Sequence, residues 1–213
     1  RTTYTLDQTL LLNSYFLALF GCKTTNELYL ALKSPELEGA SSEGVSFLCS
    51  ELTERIASPS LTAEQLLEYD AHIRTYTDEI NEERITPIKW KYFQYLALLF
   101  TEIYLDRYIG NADAFCKELN TYRIKKSTHA PWHMFDAFKV DEMNKLAFWC
   151  ATGSGKTLMM HIHLKQYLYY CEKYGRKTPD RTLLITPNEA LTKQHQEEYK
   201  LSGIQAEVFA PRK

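Results

Sequence analysis

The chain has 213 residues, of which 45 % are hydrophobic and 24 % charged, and its formal net charge is −2. This composition is ordinary for a globular protein of one or two domains. It excludes a membrane span, because no apolar run is long and uncharged enough, and no cleavable secretory signal is visible. We therefore expect a cytoplasmic protein with no membrane partner.

The charges are unevenly distributed along the chain. Residues 1–88 contain 6 lysines and arginines against 14 acidic residues, whereas residues 89–213 contain 19 against 13. Nucleic-acid backbones are bound largely through cationic neutralisation, so we expect any such contact in the C-terminal part. Five scattered cysteines indicate free thiols in a reducing compartment.

The first 84 residues show helical patterns and no strand signal. Leu6 to Phe20 is apolar nearly all round, which predicts a buried helix. Capping boxes at Thr24 and Thr62 predict two helix starts. The second of these helices carries one narrow apolar stripe, at Leu66, Tyr69, Ile73, Tyr76 and Ile80. This stripe favours packing against one partner helix of the same chain, with an intermolecular seam as the alternative.

Thr86 and Pro87 interrupt the helical pattern and predict a domain boundary. We expect an acidic all-helical domain at residues 1–86 and a second domain at residues 87–213. The helical domain is also a candidate surface for a protein partner.

An apolar run at 146–150 leads into a glycine-rich turn and then a helical pattern, the context of a phosphate-binding loop. Glycines at 153 and 155 allow close backbone approach to phosphates, and the following helix start favours anions. Lys156 would contact the β- and γ-phosphates of ATP, and the Thr157 hydroxyl would ligate Mg²⁺. The residues predicted to hold the nucleotide are Ala151, Thr152, Gly153, Ser154, Gly155, Lys156 and Thr157. Cys150 occupies the usual first-glycine position, which argues against ordinary kinases and small GTPases.

A second apolar segment, 181–187, ends at a proline and precedes a helix start at Asn188. With the phosphate loop, this order predicts strand, helix, strand, helix and hence a parallel sheet. Residues 207–210 predict a third strand.

These two motifs together resemble motifs I and Ia of superfamily 2 DEAD/DEAH-type helicases and translocases. The sequence of residues 183–195 is most similar to the corresponding motif in the ATPase subunits of type III restriction enzymes and related bacterial phage-defence helicases. The resemblance covers residues 88–213 and implies an α/β fold, a truncated RecA-like parallel-sheet domain after the all-α N-terminal domain. It implies ATP and Mg²⁺ as cofactors, with Lys156 and Thr157 as catalytic residues. Pro187, Asn188 and Gln194 would face DNA, with RNA as the alternative.

A third element of the resemblance lies further upstream. Gln94, in an aromatic stretch, is similar to the glutamine that reads adenine in many of these enzymes. Its amide can donate and accept in one plane. The long spacing to Lys156 would require an insertion near residues 109–144. The alternative is a glutamine on a buried aromatic helix.

The resemblance also implies parts that the 213 residues do not contain. No apolar strand is followed by the acidic pair that holds Mg²⁺ and orients water, and no second motor domain follows. We therefore expect a portion of a longer helicase or translocase, not competent for hydrolysis by itself. The alternatives are a P-loop or kinase-type enzyme unrelated to nucleic acid and a helical interaction module of a defence complex.

Two groups of residues contain possible metal ligands, but neither has the spacing of a metal site. Cys116, His129 and His133 have half of a zinc-finger spacing, but the front cysteine pair is missing. His161 and His163 point to different faces of one helix and are expected to be packing residues.

Overall fold

A computed structural model describes residues 9–126 and 136–209, which are mostly helical. The helices are α1 (Leu11–Leu19), α2 (Thr25–Leu32), α3 (Phe47–Thr53), α4 (Ala63–Asn81), α5 (Tyr92–Lys126), α6 (Lys156–Lys173) and α7 (Glu189–Leu201). Short 3-10 turns lie at Pro35–Leu37 and Val140–Glu142. Within the described ranges no helix combines the length and the apolar character needed to cross a membrane.

The predicted parallel sheet is wrong for the described residues, which form no β-strand and only one isolated bridge, between Ala40 and Ser46. The described residues of the three segments expected to be strands, 146–150, 181–187 and 207–209, are irregular coil. Their apolar side chains are largely exposed, including Trp149 at 85 % and Ile185 at 83 %. A strand needs a neighbour for its backbone N–H and C=O groups, and these segments do not pair with one another. The α/β, RecA-like description is therefore replaced by a mostly all-α one.

The predicted helix starts at the two capping boxes are confirmed. Thr62 accepts the N–H of Gln65, and the Gln65 side chain accepts the N–H of Thr62, at 3.2 Å and 3.0 Å. Thr24 accepts the N–H of Glu27, whose carboxylate turns back to the N–H of Lys23. Each arrangement satisfies amides that the first helical turn leaves without partners.

The long helix α5 is the centre of the molecule and contacts α1, α2, α4 and α6. It is broken at Asn111, whose backbone is not helical (φ −154°, ψ 86°) and whose side chain accepts the N–H of Ala114 at 3.0 Å. Asn111 thus acts as an N-cap for a second helical stretch. The break lies within residues 109–144, where an insertion is predicted, and the insertion stays a prediction because residues 127–135 lie outside the described ranges.

The apolar stripe of α4 is buried within the same chain, as predicted. All five stripe residues are buried, but α4 contacts three helices, α3, α5 and α6, rather than one. Residues on both sides of position 86, such as Ile80 and Tyr95, belong to one continuous core. The division into two domains there stays a prediction. The predicted start of the first helix at Leu6 lies outside the described residues.

Candidate functional site

The glycine-rich turn lies directly before α6 and has the backbone that a phosphate loop needs. Gly153 and Gly155 have φ values of 75° and 81°, a left-handed region that side chains disfavour. Gly155 is the N-cap residue of α6, so the first amides of this 18-residue helix face the turn. Residues 151–153 are exposed. The arrangement gives an accessible anion-binding position at the positive end of a helix.

Gln94, which is 60 residues upstream, lies against this loop. Its Nε2 donates to the carbonyl oxygen of Ser154 at 2.9 Å, and its Oε1 accepts the N–H of Lys91 at 2.9 Å. A Cβ at Gly155 would lie only 2.6 Å from the Gln94 Nε2. Glycine is thus favoured at 155 by its φ, and a side chain there would displace the Gln94 amide from the loop. One amide hydrogen and one oxygen lone pair of Gln94 are left over by these two bonds.

The Lys156 side chain is exposed and folds over its own loop. Its Nζ donates to the carbonyl oxygens of Ala151 at 2.6 Å and Cys150 at 3.2 Å. The ammonium is therefore already close to the turn formed by residues 151–155. It can reach a phosphate group there by rotation of a flexible side chain.

The residues present fit the phosphates of a nucleoside triphosphate, because the glycine-rich backbone, the start of α6 and the Lys156 side chain lie at one place. They fit Mg²⁺ only in part. Thr157, the predicted ligand, is half-buried on the first turn of α6. No group of three or more histidines, cysteines or acids suited to a metal occurs in the described part of the chain. Phosphate oxygens would have to supply most of the remaining ligands.

An apolar cavity of about 1000 Å³ opens beside the loop. Ser154 and Ala151 line the end nearest the phosphate loop, and aromatic side chains from α5 and the preceding coil line much of the rest. These are Tyr92, Phe93, Phe100, Phe148 and Trp149. Aromatic walls beside a phosphate loop suit stacking against a flat heterocycle.

Helix α6 is fixed to α4 and α5 by polar contacts along its length. Gln166, fully buried, donates to the carbonyl oxygen of Leu98 at 3.0 Å, and the Tyr170 hydroxyl donates to the buried Glu102 carboxylate at 2.5 Å. Ion pairs at the edge are Lys165–Glu79, Lys173–Glu68 and Lys173–Asp106. The helix that begins at the loop is thus held firmly by the helical part of the molecule. These contacts cannot be predicted from the sequence, because the residues of α6 alone do not specify which helices it packs against.

The two histidines of α6 are packed, in agreement with the sequence analysis. His161 is fully buried and stacks on Tyr199 with ring centroids 4.3 Å apart, and His163 stacks on Phe148 at 4.3 Å. Burial lowers the pKa of both to about 4, and at His161 the positive charge of Arg84 adds to the effect. Both are therefore neutral near pH 7.

The residues predicted to face nucleic acid lie at the exposed start of α7. Pro187, Asn188 and Gln194 are all exposed. The Asn188 side chain caps the helix by accepting the N–H of Leu191 at 2.9 Å. The contacts that join α6 to α7 lie at the opposite end of α7, around Ser202. The structure therefore brings Gln94 to the loop and keeps the start of α7 as a separate surface. Of the weak zinc candidate, Cys116 is buried, while both histidines lie outside the described residues.

Residues 113–210 match the family model described as Type III restriction enzyme, res subunit. The match contains the phosphate loop, α6 and α7, and covers somewhat less than half of the chain. It supports a helicase-like ATPase domain in this region. Gln94 and helices α1 to α4 lie outside it. The comparison with curated proteins and the comparison with solved structures gave no significant match.

Proposed function

We propose that the chain is the ATP-binding portion of a nucleic-acid helicase or translocase of a restriction or phage-defence system, acting on DNA. The observation that carries the proposal is the loop at the start of α6. It has two left-handed glycines, an exposed lysine and a helix N-terminus within the residues that match the restriction-enzyme family. The match favours this function over a kinase-type enzyme.

In this proposal the loop binds the triphosphate. The backbone amides of 152–156 surround the phosphates, Lys156 neutralises the β- and γ-phosphates, and Thr157 contributes a hydroxyl to Mg²⁺. The bound metal supplies charge neutralisation at the phosphate oxygens. Gln94 presents its free donor and acceptor to the adenine edge, and the neighbouring aromatic cavity receives the base.

The nucleic acid is proposed to lie along the start of α7. Pro187 and Asn188 expose backbone at a helix N-terminus, where amides favour phosphate groups, and Gln194 is exposed further along the helix. The excess of basic residues after position 88 supports the same side of the chain. The N-terminal region at residues 1–86, which has an acidic excess, is proposed to carry protein contacts rather than DNA contacts.

Lys156→Ala tests the nucleotide site. In the 213-residue chain we expect loss of ATP·Mg²⁺ binding without loss of helical signal, because the side chain is exposed. A charge-assisted contact of this kind contributes about 1.5–3 kcal/mol, or about 10- to 150-fold in affinity. In the full-length protein DNA-stimulated hydrolysis should disappear. DNA binding without nucleotide should persist.

Lys177→Ala is the matched control, since Lys177 is 84 % exposed and lies beyond the far end of α6. It removes the same charge and should leave nucleotide binding unchanged. Unchanged ATP binding in a folded Lys156→Ala protein would refute the nucleotide site. Hydrolysis by the 213-residue chain at several turnovers per second would show that a complete catalytic site lies within it.

A further inference from the structure

Three elements meet at one buried hydroxyl, that of Ser202, which is 2 % exposed at the end of α7. Arg84, just beyond α4, donates to the Ser202 Oγ at 2.9 Å and to the Glu198 carboxylate at 3.2 Å. On the other side, the Nδ1 of His161 in α6 lies 2.8 Å from the same Oγ. The Arg84 side chain is 12 % exposed, so this arginine is mostly buried in the junction.

The donors and acceptors at this junction can be ordered. Arg84 only donates, so the Ser202 oxygen accepts from it and the Ser202 hydroxyl hydrogen is free to point towards His161. His161 Nδ1 either accepts this hydrogen or, in the other tautomer, donates to the second lone pair of the Ser202 oxygen. Tyr199, one turn before Ser202, stacks on the His161 ring with an interplanar angle of 22°. The end of α7 is thus attached to α6 by both a hydrogen bond and a ring contact.

The junction lies close to the start of α6 but far from the start of α7. His161 lies five residues after Lys156, which is about 7.5 Å along the axis of α6. Ser202 lies at the far end of the 13-residue α7, about 20 Å from the exposed start at Asn188. A small change in the angle between the helices at Ser202 therefore moves the start of α7 by a larger distance. Arg84 holds Ser202 and Glu198, two residues on the last turn of α7, and so restricts that angle.

We infer that Arg84, acting through Ser202, is a positioning residue that couples nucleotide binding at the start of α6 to nucleic-acid binding at the start of α7. This inference rests on the proposed function. Arginine is required because its Nη2 donates to the hydroxyl and the carboxylate while its Nε donates to the carbonyl oxygen of Ile80 at 3.1 Å, and the single ammonium of a lysine cannot make all three bonds from this position. The residues of the junction touch neither ligand.

The test is a linkage measurement on the full-length protein. The Kd of a fluorescent ATP analogue is measured with and without a single-stranded DNA oligonucleotide, and the Kd of the labelled oligonucleotide with and without a non-hydrolysable ATP analogue. For wild type we expect each ligand to change the affinity of the other by the same factor, about 5- to 150-fold. In Arg84→Lys and in Ser202→Ala that factor should fall to within about twofold of unity. Each separate affinity should stay within about threefold of wild type.

Arg55→Lys is the control, since Arg55 pairs with Glu51 on an exposed surface and is 40 % exposed. Its coupling factor should equal that of wild type. A histidine nitrogen NMR spectrum gives a second readout, because the hydrogen bond with Ser202 affects the chemical shift of the His161 Nδ1. We expect Ser202→Ala, which removes the hydroxyl, to change the His161 signals. Thermal melts identify any variant that is merely unfolded, and Ser202→Ala is the smaller change if Arg84→Lys is unstable.

The outcomes separate the two proposals. Absence of ATP or DNA binding by wild type would remove the proposed function and this inference with it. Binding of both ligands with equal coupling in wild type, Arg84→Lys and Ser202→Ala would overturn the inference alone. Binding of both without any coupling in wild type would also overturn the inference alone.

Discussion

The two ends of α6 differ sharply. At its start, Gly155 and Lys156 belong to a largely exposed turn, and the lysine donates to carbonyl oxygens of its own loop. In its second half, Gln166 and Tyr170 are fully buried and bonded to α5. The helix therefore presents an adaptable loop on a fixed base. A phosphate site needs this division, since the loop must adjust to a ligand while the helix that directs its amides stays in place.

Gly155→Ala, in the loop at the start of α6, should have the largest effect on ATP affinity. A Cβ there is strained at φ near 81° and meets Gln94 Nε2 at 2.6 Å, so the Gln94 side chain must leave its place against the loop. We expect ATP affinity to fall by about 100-fold, because a left-handed non-glycine residue costs about 1–2 kcal/mol and the Gln94 contact is also lost. Isothermal titration calorimetry measures the change.

Gly175→Ala is the control for backbone strain away from the loop, since Gly175 has φ 61° and nothing lies within 4 Å of its Cβ position. It should lower the melting temperature without changing ATP affinity. Equal losses of affinity in the two variants would show that the effect of Gly155→Ala is not specific to the loop.

Acid should weaken the fold through the histidines of α6. The folded pKa of His161 and of His163 is about 4, whereas the unfolded value is 6.5. Between these values the unfolded chain binds more protons, so the free energy of unfolding falls as pH falls. The loss between pH 6.5 and 5 is about 2 kcal/mol for each histidine. Urea unfolding at several pH values measures it. His163→Phe, which keeps a ring against Phe148, should show a shallower pH dependence, and an unchanged slope would contradict the assignment.

Tyr170→Phe should affect the buried end and leave the loop intact. It removes the donor to Glu102, a carboxylate that is 0 % exposed, whose Oε1 has no hydrogen-bond partner within the described ranges. We expect a loss of about 1–2 kcal/mol in the free energy of unfolding, with ATP affinity unchanged. Chemical denaturation and a binding titration check both parts. Tyr167→Phe, at a residue 39 % exposed on the same helix, should change neither. A drop in ATP affinity for Tyr170→Phe would mean that the two ends are not independent.

Gln94→Ala should give the smallest effect, confined to the loop. Two hydrogen bonds to backbone groups are lost at a half-buried position. We expect ATP affinity to fall by about fivefold, together with the preference for ATP over GTP. Competition titrations with both nucleotides measure this. Gln196→Ala is the control, because Gln196 also donates to a backbone carbonyl, that of Ala206, but lies on α7. Retained ATP preference in Gln94→Ala would remove Gln94 from the adenine site.

Sequence reasoning succeeded where the deciding interaction is local. The Thr62 capping box joins residues three apart, and the α4 stripe follows helical spacing, so both could be predicted. The glycines of the loop were identified because their conformation excludes other residues. The expected strands failed because pairing is not local: an apolar run such as 146–150 predicts extended backbone but does not specify a neighbour.

Contacts between residues that are far apart in the sequence could not be predicted from local patterns. The approach of Gln94 to the loop was suggested only by a resemblance and not by its spacing. The meeting of Arg84 with Ser202 joins residues 118 positions apart with no pattern in between. Polar residues that connect helices in this manner occupy ordinary helical or turn positions, and their role appears only when the helices are packed.

The Lys156 ammonium donates to the carbonyl oxygens of Ala151 and Cys150, so these carbonyls compete with an incoming phosphate for the same ammonium. An incoming phosphate exchanges these bonds for new ones, so the measured gain in affinity is a difference between two sets of contacts. Anions too weakly charged to win the exchange leave the lysine where it is. We therefore expect the loop to discriminate against small monovalent anions in favour of a polyphosphate.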